Sequence, residues 1–212
     1  MIILQGYIFY YIVAAIGISS GYHRYFTHRS FKTTPIIEHL MLFLGMICGG
    51  RSALTWAAVH RMHHAKSDTE HDPHSPIYKG SLTVLTSRWR VEKIPKKYIV
   101  DLLRNPRIVW WHRFGKYIHL FYTVLVFILF GIWGLTVFVA LPFAISWIGF
   151  GMLNYVAHKD GQPKDVPLMN LIAPGEGWHL YHHNNPGHYR LNKYDFSGWI
   201  IERFFIKAKP GS

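Results

Sequence analysis

The chain has 212 residues, of which 50% are hydrophobic, 17% aromatic and only 16% charged. Because soluble domains carry about 25% charged residues, this composition favours an integral membrane protein. The formal net charge is +12, but the cations lie between apolar stretches and form no basic stripe, which argues against nucleic-acid binding and favours contact with anionic headgroups or an acidic partner.

The first predicted element is a membrane helix over residues 2–20, which carry no charge. At about 1.5 Å per residue this stretch nearly crosses a hydrocarbon core of about 30 Å, and we expect the helix to run on and bring His23 out at the membrane surface. Arg24, Arg29 and Lys32 follow at once, so the positive-inside rule places this end in the cytoplasm and the N-terminus outside. No basic segment or small-residue cleavage site precedes the apolar run, which distinguishes it from a signal peptide.

A second apolar stretch covers residues 36–59 and contains two charged residues. These charges disfavour a transmembrane span, so we predict an interfacial or partly buried helix that delivers His60 to the same side as His23. The single cysteine, Cys48, lies in this stretch. It excludes an intramolecular disulfide and a thiolate-based metal site.

Residues 61–116 are polar and divided by prolines, which predicts short helices and loops. From about 118 to 156 the chain is almost uncharged and long enough for two spans. We predict a helical hairpin over about 118–136 and 139–157 that leaves the cytoplasm and returns there, and a further helix at about 196–205. The sequence thus predicts an all-α fold with about three transmembrane helices, interfacial helices and a histidine-rich cap on the cytoplasmic face.

Histidines recur at helical spacing in the polar parts of the chain. Two sets repeat the i, i+3, i+4 spacing that places three side chains on one helical face, namely His60, His63 and His64, and His179, His182 and His183. His23 and His28 stand five apart, which requires the first helix to end between them, and His158 stands four residues after Asn154.

Imidazole is the commonest side-chain ligand for transition metals, and these nine candidates exceed one coordination sphere. Two metal ions are therefore expected. Four ligands suffice for a structural zinc ion, so a purely structural role is disfavoured. Ligand type alone allows iron, zinc, copper or nickel.

The segments that carry these histidines form an ordered set of motifs. They are His23-Arg-Tyr-Phe-Thr-His28, His60-Arg-Met-His-His64, His71-Asp-Pro-His74, Asn154-Tyr-Val-Ala-His158 and Gly175-Glu-Gly-Trp-His-Leu-Tyr-His-His183. In this order and combination the chain resembles the membrane fatty acid desaturase family, in particular its acyl desaturases of the Δ9 type. Two features differ from the usual pattern of the family. One span, rather than a membrane hairpin, precedes His23, and Asn184-Asn185-Pro186 stands in place of Ala-Phe-Pro after the last box.

The resemblance implies one membrane domain over 1–212 that holds two iron ions, as Fe2+ or Fe3+. The ligands it implies are His23, His28, His60, His63, His64, His158, His179, His182 and His183, with Asn154 acting through water. Three further residues are candidates to contact these imidazoles and orient them without binding the metal, namely Glu176, His74 and Asp72. Asp68 and Glu70 could do the same or pair with nearby arginines.

The implied reaction removes two hydrogens from adjacent methylene groups of a long acyl chain and leaves a cis double bond, with O2 and two electrons. An unactivated C–H bond needs a strong oxidant made from O2 at a redox metal, which zinc cannot supply. We expect a long-chain acyl-CoA or acyl-lipid substrate. We also expect an external donor, ferredoxin or cytochrome b5 with its reductase, because no cytochrome b5-like haem segment is visible at either end.

Two alternatives remain open on the sequence. A hydroxylase of the same superfamily would keep the metal site and insert oxygen into the chain instead. A histidine-rich metal transporter belongs to another class and would require ionisable residues inside the spans, whereas the histidines here cluster at the predicted helix ends.

Overall fold

A computed structural model describes residues 1–205 of the chain. Within them it contains ten α-helices and no β-strand, which confirms the all-α prediction. The helices are α1 (Ile2–Thr27), α2 (Pro35–Gly50), α3 (Ala53–Lys66), α4 (Pro76–Lys79), α5 (Ser81–Leu85), α6 (Val100–Leu103), α7 (Pro106–Leu135), α8 (Leu141–His158), α9 (His179–Asn184) and α10 (Phe196–Phe204). The single domain over 1–212 stays a prediction, and residues 206–212 lie outside the described part.

Helix α1 changes its winding part-way along. It is α-helical over Ile2–Ala14 and π-helical over Ala15–Thr27. In a π-helix each amide bonds to the carbonyl five residues back, and the His28 amide donates to the His23 carbonyl oxygen at 3.2 Å. The helix ends at Thr27, with His28 as its C-cap, which confirms the prediction that it ends between these two histidines. The π-helical winding up to that point brings the two side chains together, with ring centroids 5.0 Å apart.

Helices α2 and α3 meet at 73°, so the prediction of a single helix over 36–59 is wrong. The break follows Gly49, whose φ of 89° lies in the left-handed region that glycine adopts without steric cost. Arg51, with φ 56°, completes the turn. The bend brings α3 back towards the end of α1, and the ring centroids of His23 and His60 lie 4.6 Å apart.

The predicted hairpin is present, but its first helix begins earlier than the expected residue 118. Helix α7 starts at Pro106, where the Asn105 side chain accepts a hydrogen bond from the Arg107 amide at 3.0 Å. A side-chain cap followed by proline is a strong helix start, and it outweighs the polar character of the first turns. The helical run breaks at Gly131, with φ 61°, and resumes through a π-helical turn at Thr136–Ala140 into α8.

Two helical runs, Ile2–Thr27 and Pro106–His158, are long and apolar enough to cross a membrane. The bent pair Pro35–Gly50 and Ala53–Lys66 adds a third if it counts as one broken span. The figure of about three transmembrane helices therefore stays a prediction.

The arrangement of these runs places the histidines at one end of the molecule. At the other end, the Trp133 indole donates to the Gln5 side chain at 3.3 Å, so the hairpin turn lies beside the first turns of α1. The core between α1, α2 and α3 is apolar and aromatic, with Ile18, Tyr22 and Met41 fully buried. The histidine-bearing ends of α1, α3 and α8 therefore project from one side of this core.

Candidate metal centre

The nine predicted ligand histidines converge from α1, α3, α8 and α9 into two neighbouring groups. The first group is His23, His28, His60, His64 and His182, and the second is His63, His158, His179 and His183. In each group one nitrogen from every member lies within 4.8 Å of the others. Segments far apart in the sequence thus supply the two clusters.

The imidazole Nε2 atoms of each group face one another at short range. In the first group His182 Nε2 lies 2.9 Å from His23 Nε2 and 2.8 Å from His64 Nε2. In the second, His179 Nε2 lies 2.8 Å from His158 Nε2 and 3.2 Å from His183 Nε2.

These spacings suit imidazoles that share a metal ion. Two nitrogens bound to one ion at about 2.1 Å, in tetrahedral or octahedral geometry, lie about 3.0–3.4 Å apart. Moreover, His28 Nε2 is buried without a hydrogen-bond partner. The donor set is therefore suited to a pair of transition-metal ions.

Carboxylates contact the opposite nitrogen, Nδ1, of three of these rings. His63 Nδ1 lies 3.0 Å from both carboxylate oxygens of Asp72, and His158 Nδ1 lies 3.0 Å from Asp68 Oδ2. An outer carboxylate of this kind fixes the tautomer and turns the other nitrogen towards the metal. Asp68, which sequence reasoning left open between this role and an arginine pair, thus lies against a candidate ligand.

Glu176 takes the corresponding place beside His23, with its Oε2 at 2.6 Å from His23 Nδ1 and Ser19 donating to its other oxygen. The carboxyl group is buried, which opposes its ionisation, but His23 and Arg24 hold its pKa below the usual value. An ionised carboxylate therefore faces this imidazole.

The ligand imidazoles of α9 are held neutral. Burial, reinforced by the neighbouring histidines, lowers the pKa of His179 and His182 well below the ordinary value and that of His183 to about 2. A neutral imidazole keeps a free lone pair, which metal binding requires.

Arg24 connects the histidine groups to the rest of the fold. Sequence patterns did not identify it as a site residue. Its guanidinium is buried and donates to Asp195 at 2.6 Å, to the Gly175 carbonyl at 3.0 Å and to the Tyr189 carbonyl at 2.8 Å. It also lies 3.6 Å from Glu176. No sequence spacing signals these contacts, because each joins α1 to a segment more than 150 residues away.

Two further polar residues set the angles of the histidine helices. Asp165 accepts from the Leu180 amide at 2.8 Å and so stabilises the start of the short helix α9. Arg61 donates to the Phe26 carbonyl at 2.9 Å and to Asp101 at 2.7 Å, which ties α3 to the end of α1.

A cavity of about 360 Å³ opens beside the histidine groups. His23, His60, His179 and Asn154 line its polar end, together with His74 and Glu176. Apolar and aromatic side chains line the rest, including Ile18, Trp56, Phe143, Trp147 and Phe150.

Asn154 lies on α8 one turn before His158, as predicted. His74 is buried and stacks on His63 with ring centroids 4.2 Å apart. The site thus joins two potential metal positions to an apolar pocket.

Residues 1–195, which include all of the histidine motifs, match the family model described as fatty acid desaturase. The chain belongs to the fatty acid desaturase family. It is 30% identical to stearoyl-CoA desaturase of Homo sapiens over 223 residues, which cover 94% of this chain and 61% of the relative. Together with the long apolar helices, membership of this family makes the chain an integral membrane protein.

Other members of the family are similar to the same extent. Delta-9 acyl-lipid desaturase 2 of Arabidopsis thaliana is 29% identical over 220 residues, covering 92% of this chain and 69% of the relative. The sn-1 stearoyl-lipid 9-desaturase of Synechocystis sp. is 30% identical over 194 residues, covering 84% and 60%. The chain therefore spans about two thirds or less of the length of these desaturases.

Proposed function

We propose that this chain is an O2-dependent acyl desaturase that introduces a cis double bond, of the Δ9 type, into a long-chain acyl-CoA or acyl-lipid. The observation that carries the proposal is the joining of two imidazole groups, of five and four members, to one cavity with apolar walls. A metal storage or transport site has no need of an apolar pocket beside its ligands.

We infer that the nine histidines hold two iron ions, with Asn154 acting through water. When bound, the iron pair supplies the oxidising power from O2 that an unactivated C–H bond requires. The chain itself provides the neutral imidazoles and the outer carboxylates. Asp68, Asp72 and Glu176 fix three of the rings before any substrate arrives.

The role of the cavity is to position the acyl chain rather than to provide an acid or a base. Its aromatic and aliphatic walls exclude water and hold the methylene chain against the polar end, where His60, His179 and Asn154 lie. A chain held in one register presents the same two carbons to the metal pair each time, so packing decides where the double bond forms. The proposed active site faces the cytoplasm and takes its electrons from ferredoxin, or from cytochrome b5 with its reductase.

Expression in a desaturase-deficient host, followed by fatty-acid analysis, tests this function. We expect new cis-monounsaturated chains from the natural sequence and none from His179→Asn, which removes a buried ligand. His71→Gln is the matched control, because His71 is exposed and belongs to neither group. Hydroxylated chains would instead identify a hydroxylase. A protein that binds iron and yields neither product would refute both oxidative functions.

A further inference from the structure

One wall of the cavity is a segment that belongs to no helix or strand. Residues 87–95, here named the strap, join α5 to the 3-10 turn at Lys96–Tyr98. Its residues that line the cavity are Ser87, Trp89, Val91 and Ile94. The exposed residues between them are Arg88, Arg90, Glu92 and Lys93. The strap therefore has one face on the cavity and one on the solvent.

A continuous stack of rings connects the strap to the second histidine group. The ring centroids of Trp89 and His74 lie 5.2 Å apart, and those of His74 and His63 lie 4.2 Å apart at an interplanar angle of 30°. His63 in turn places its Nε2 3.3 Å from His183 Nε2 within that group. Three rings in contact thus span the distance from the strap to the proposed metal centre.

The other tryptophans of the cavity make no such connection to the outside. Trp56 stacks on His60, but its remaining ring neighbours are Tyr22 and His23, which lie further inside. Trp147 contacts Phe143 and donates to the Thr86 carbonyl at 2.7 Å, and no histidine ring lies beside it in the described residues. Trp147 does lie beside an exposed cation, since the Arg51 guanidinium is 6.0 Å from its ring centroid. Among the three, however, only Trp89 joins a histidine ring to the strap.

The outer face of the strap and the adjoining turn is strongly basic. Its exposed charges are Arg88, Arg90, Glu92, Lys93, Lys96 and Lys97, five cations against one anion. Within residues 1–205 none of the five cations forms an ion pair, whereas the exposed Arg29 is paired with Asp101. The five cations also stand within ten consecutive residues, 88–97. An unneutralised patch of this kind steers an acidic partner to its surface.

We propose that the strap is the docking surface for an acidic one-electron carrier protein, and that Trp89 and His74 conduct its electrons to His63. This inference rests on the proposed desaturation. In each turnover the acyl chain loses two hydrogens. O2 takes up these hydrogens with two protons from solvent and two electrons, so that two waters leave. Two carrier molecules are each oxidised by one electron in succession, and the rings conduct the electrons without passing protons.

The route is tested by the anaerobic rate at which the iron-loaded protein, in lipid nanodiscs without acyl substrate, is reduced. The two reductants are reduced plant-type ferredoxin and dithionite, a small molecule that does not need the docking surface. We expect Trp89→Leu to slow reduction by ferredoxin severalfold and to leave reduction by dithionite unchanged. Trp89→Phe, which keeps an aromatic ring, restores most of the ferredoxin rate.

Trp147→Leu is the matched control, because it removes a ring of the same type from the same cavity but not from the stack. Its ferredoxin rate should equal that of the unaltered chain. Reduction of Trp89→Leu by ferredoxin at the unaltered rate would overturn the route. Equal slowing by both reductants would also overturn it, since that result would indicate a damaged metal centre.

Docking is tested separately by the affinity of oxidised ferredoxin for the full chain, which needs no turnover. The double variant Arg88→Glu, Arg90→Glu should weaken binding by about tenfold or more at low salt, and the difference should shrink as salt screens the charges. Lys159→Glu with Lys193→Glu changes the net charge equally at exposed positions outside the strap and should bind normally. If the strap variant binds ferredoxin normally and instead needs more acyl-CoA for turnover, the strap contacts a substrate headgroup and docking is refuted.

Failure of the proposed desaturation would give a different result from failure of the docking proposal. In that case no unsaturated product forms with either reductant in any variant. The reduction rates and ferredoxin affinities would still decide whether electrons enter at the strap.

Discussion

At the scale of single residues, the contacts of the imidazole Nδ1 atoms determine whether each ring presents its Nε2 atom to a metal ion. A histidine with a free Nδ1 can rotate or change tautomer, and it then presents the wrong nitrogen to a metal ion. Asp72 prevents this for His63 with two oxygens at 3.0 Å, and it is itself held by the His74 and Asp68 amides, each donating at 3.0 Å. Burial nevertheless raises the pKa of Asp72 to about 6.

Replacing this carboxylate should therefore weaken the metal site without dismantling the fold. We expect Asp72→Asn to lower iron affinity by about 10–100-fold, the usual effect of losing an outer partner of a metal-bound histidine. Metal content after dialysis against graded chelator measures this directly. Asp160→Asn is the control, because Asp160 is exposed and pairs with Lys164, away from the histidine groups. Equal iron retention by both variants would exclude an orienting role for Asp72.

Spacing along the chain predicted the nine histidines but few of their partners. A helical triplet such as His60, His63 and His64 is visible in sequence because its members share one local face. Asp68 faces His158 across 90 residues, and Arg24 faces Asp195 across 171 residues. Such contacts depend on how helices pack, which a local pattern does not contain. The π-helical winding that aligns His23 with His28 is likewise set by packing rather than by residue type.

At the scale of helices, the close crossing of α1 and α2 holds the histidine ends in register. Gly17 lies against the backbone of Gly45, and a Cβ on Gly17 would come within 2.1 Å of the Gly45 nitrogen. Small residues at such a crossing let two backbones approach closely inside a membrane.

Gly17→Ala should force these helices apart. We expect a loss of about 1–3 kcal/mol in unfolding free energy, the usual cost of overpacking, because the obstacle is backbone and cannot move aside like a flexible side chain. Thermal unfolding in detergent measures the effect. Gly187→Ala is the matched control, since no atom lies within 4 Å of the added carbon. Identical melting temperatures for the two variants would show that the crossing tolerates separation.

A second link between elements depends on pH. Asp101 on α6 accepts from Arg61 on α3 at 2.7 Å and from Arg29. Burial opposes ionisation of Asp101, but Arg61 and Arg29 hold its pKa below the ordinary value. A group whose pKa is depressed by folding stabilises the fold above its unfolded value of about 3.9, and this contribution is lost as the pH falls through the folded value.

Asp101→Asn should accordingly lower the melting temperature near neutral pH. The difference from the unaltered chain should shrink as the pH falls below about 3.9, where the carboxyl group becomes protonated. Thermal melts over a pH series measure both effects. The exposed Asp160→Asn again serves as control, because a surface ion pair contributes little. A difference that persists unchanged in acid would assign the loss to packing rather than charge.

Sequence patterns predicted which segments are helical, but they did not predict where each helix begins or bends. Apolar length predicted α1 and the α7–α8 hairpin, because a long uncharged run in a membrane protein has few alternatives to a helix. It did not locate the start of α7, where a local cap at Asn105 extends the helix through a polar stretch. The 73° bend after α2 was also missed, since it depends on one glycine with positive φ.

At the scale of the whole molecule, the charged residues and the histidine site lie towards one end, and the opposite end is uncharged. Residues 1–23 and 117–158 contain no Asp, Glu, Lys or Arg, so every cation among residues 1–205 lies in the segments that form or flank the histidine site. The Gln5 and Trp133 side chains are in contact at the opposite, uncharged end. From the positive-inside rule we expect the histidine site to face the cytoplasm, and the hairpin turn and the start of α1 to lie outside.

Single cysteines test this orientation, because Cys48 is fully buried and should not react. We expect Ile3→Cys and Ile132→Cys to be labelled by a membrane-impermeant maleimide in intact cells, since both positions are exposed at the uncharged end. Lys193→Cys, exposed beyond α9, should be labelled only after permeabilisation. Labelling of all three in intact cells would separate the site from cytoplasmic electron donors. Since those donors must reach the histidine groups, that result would also contradict the proposed desaturation.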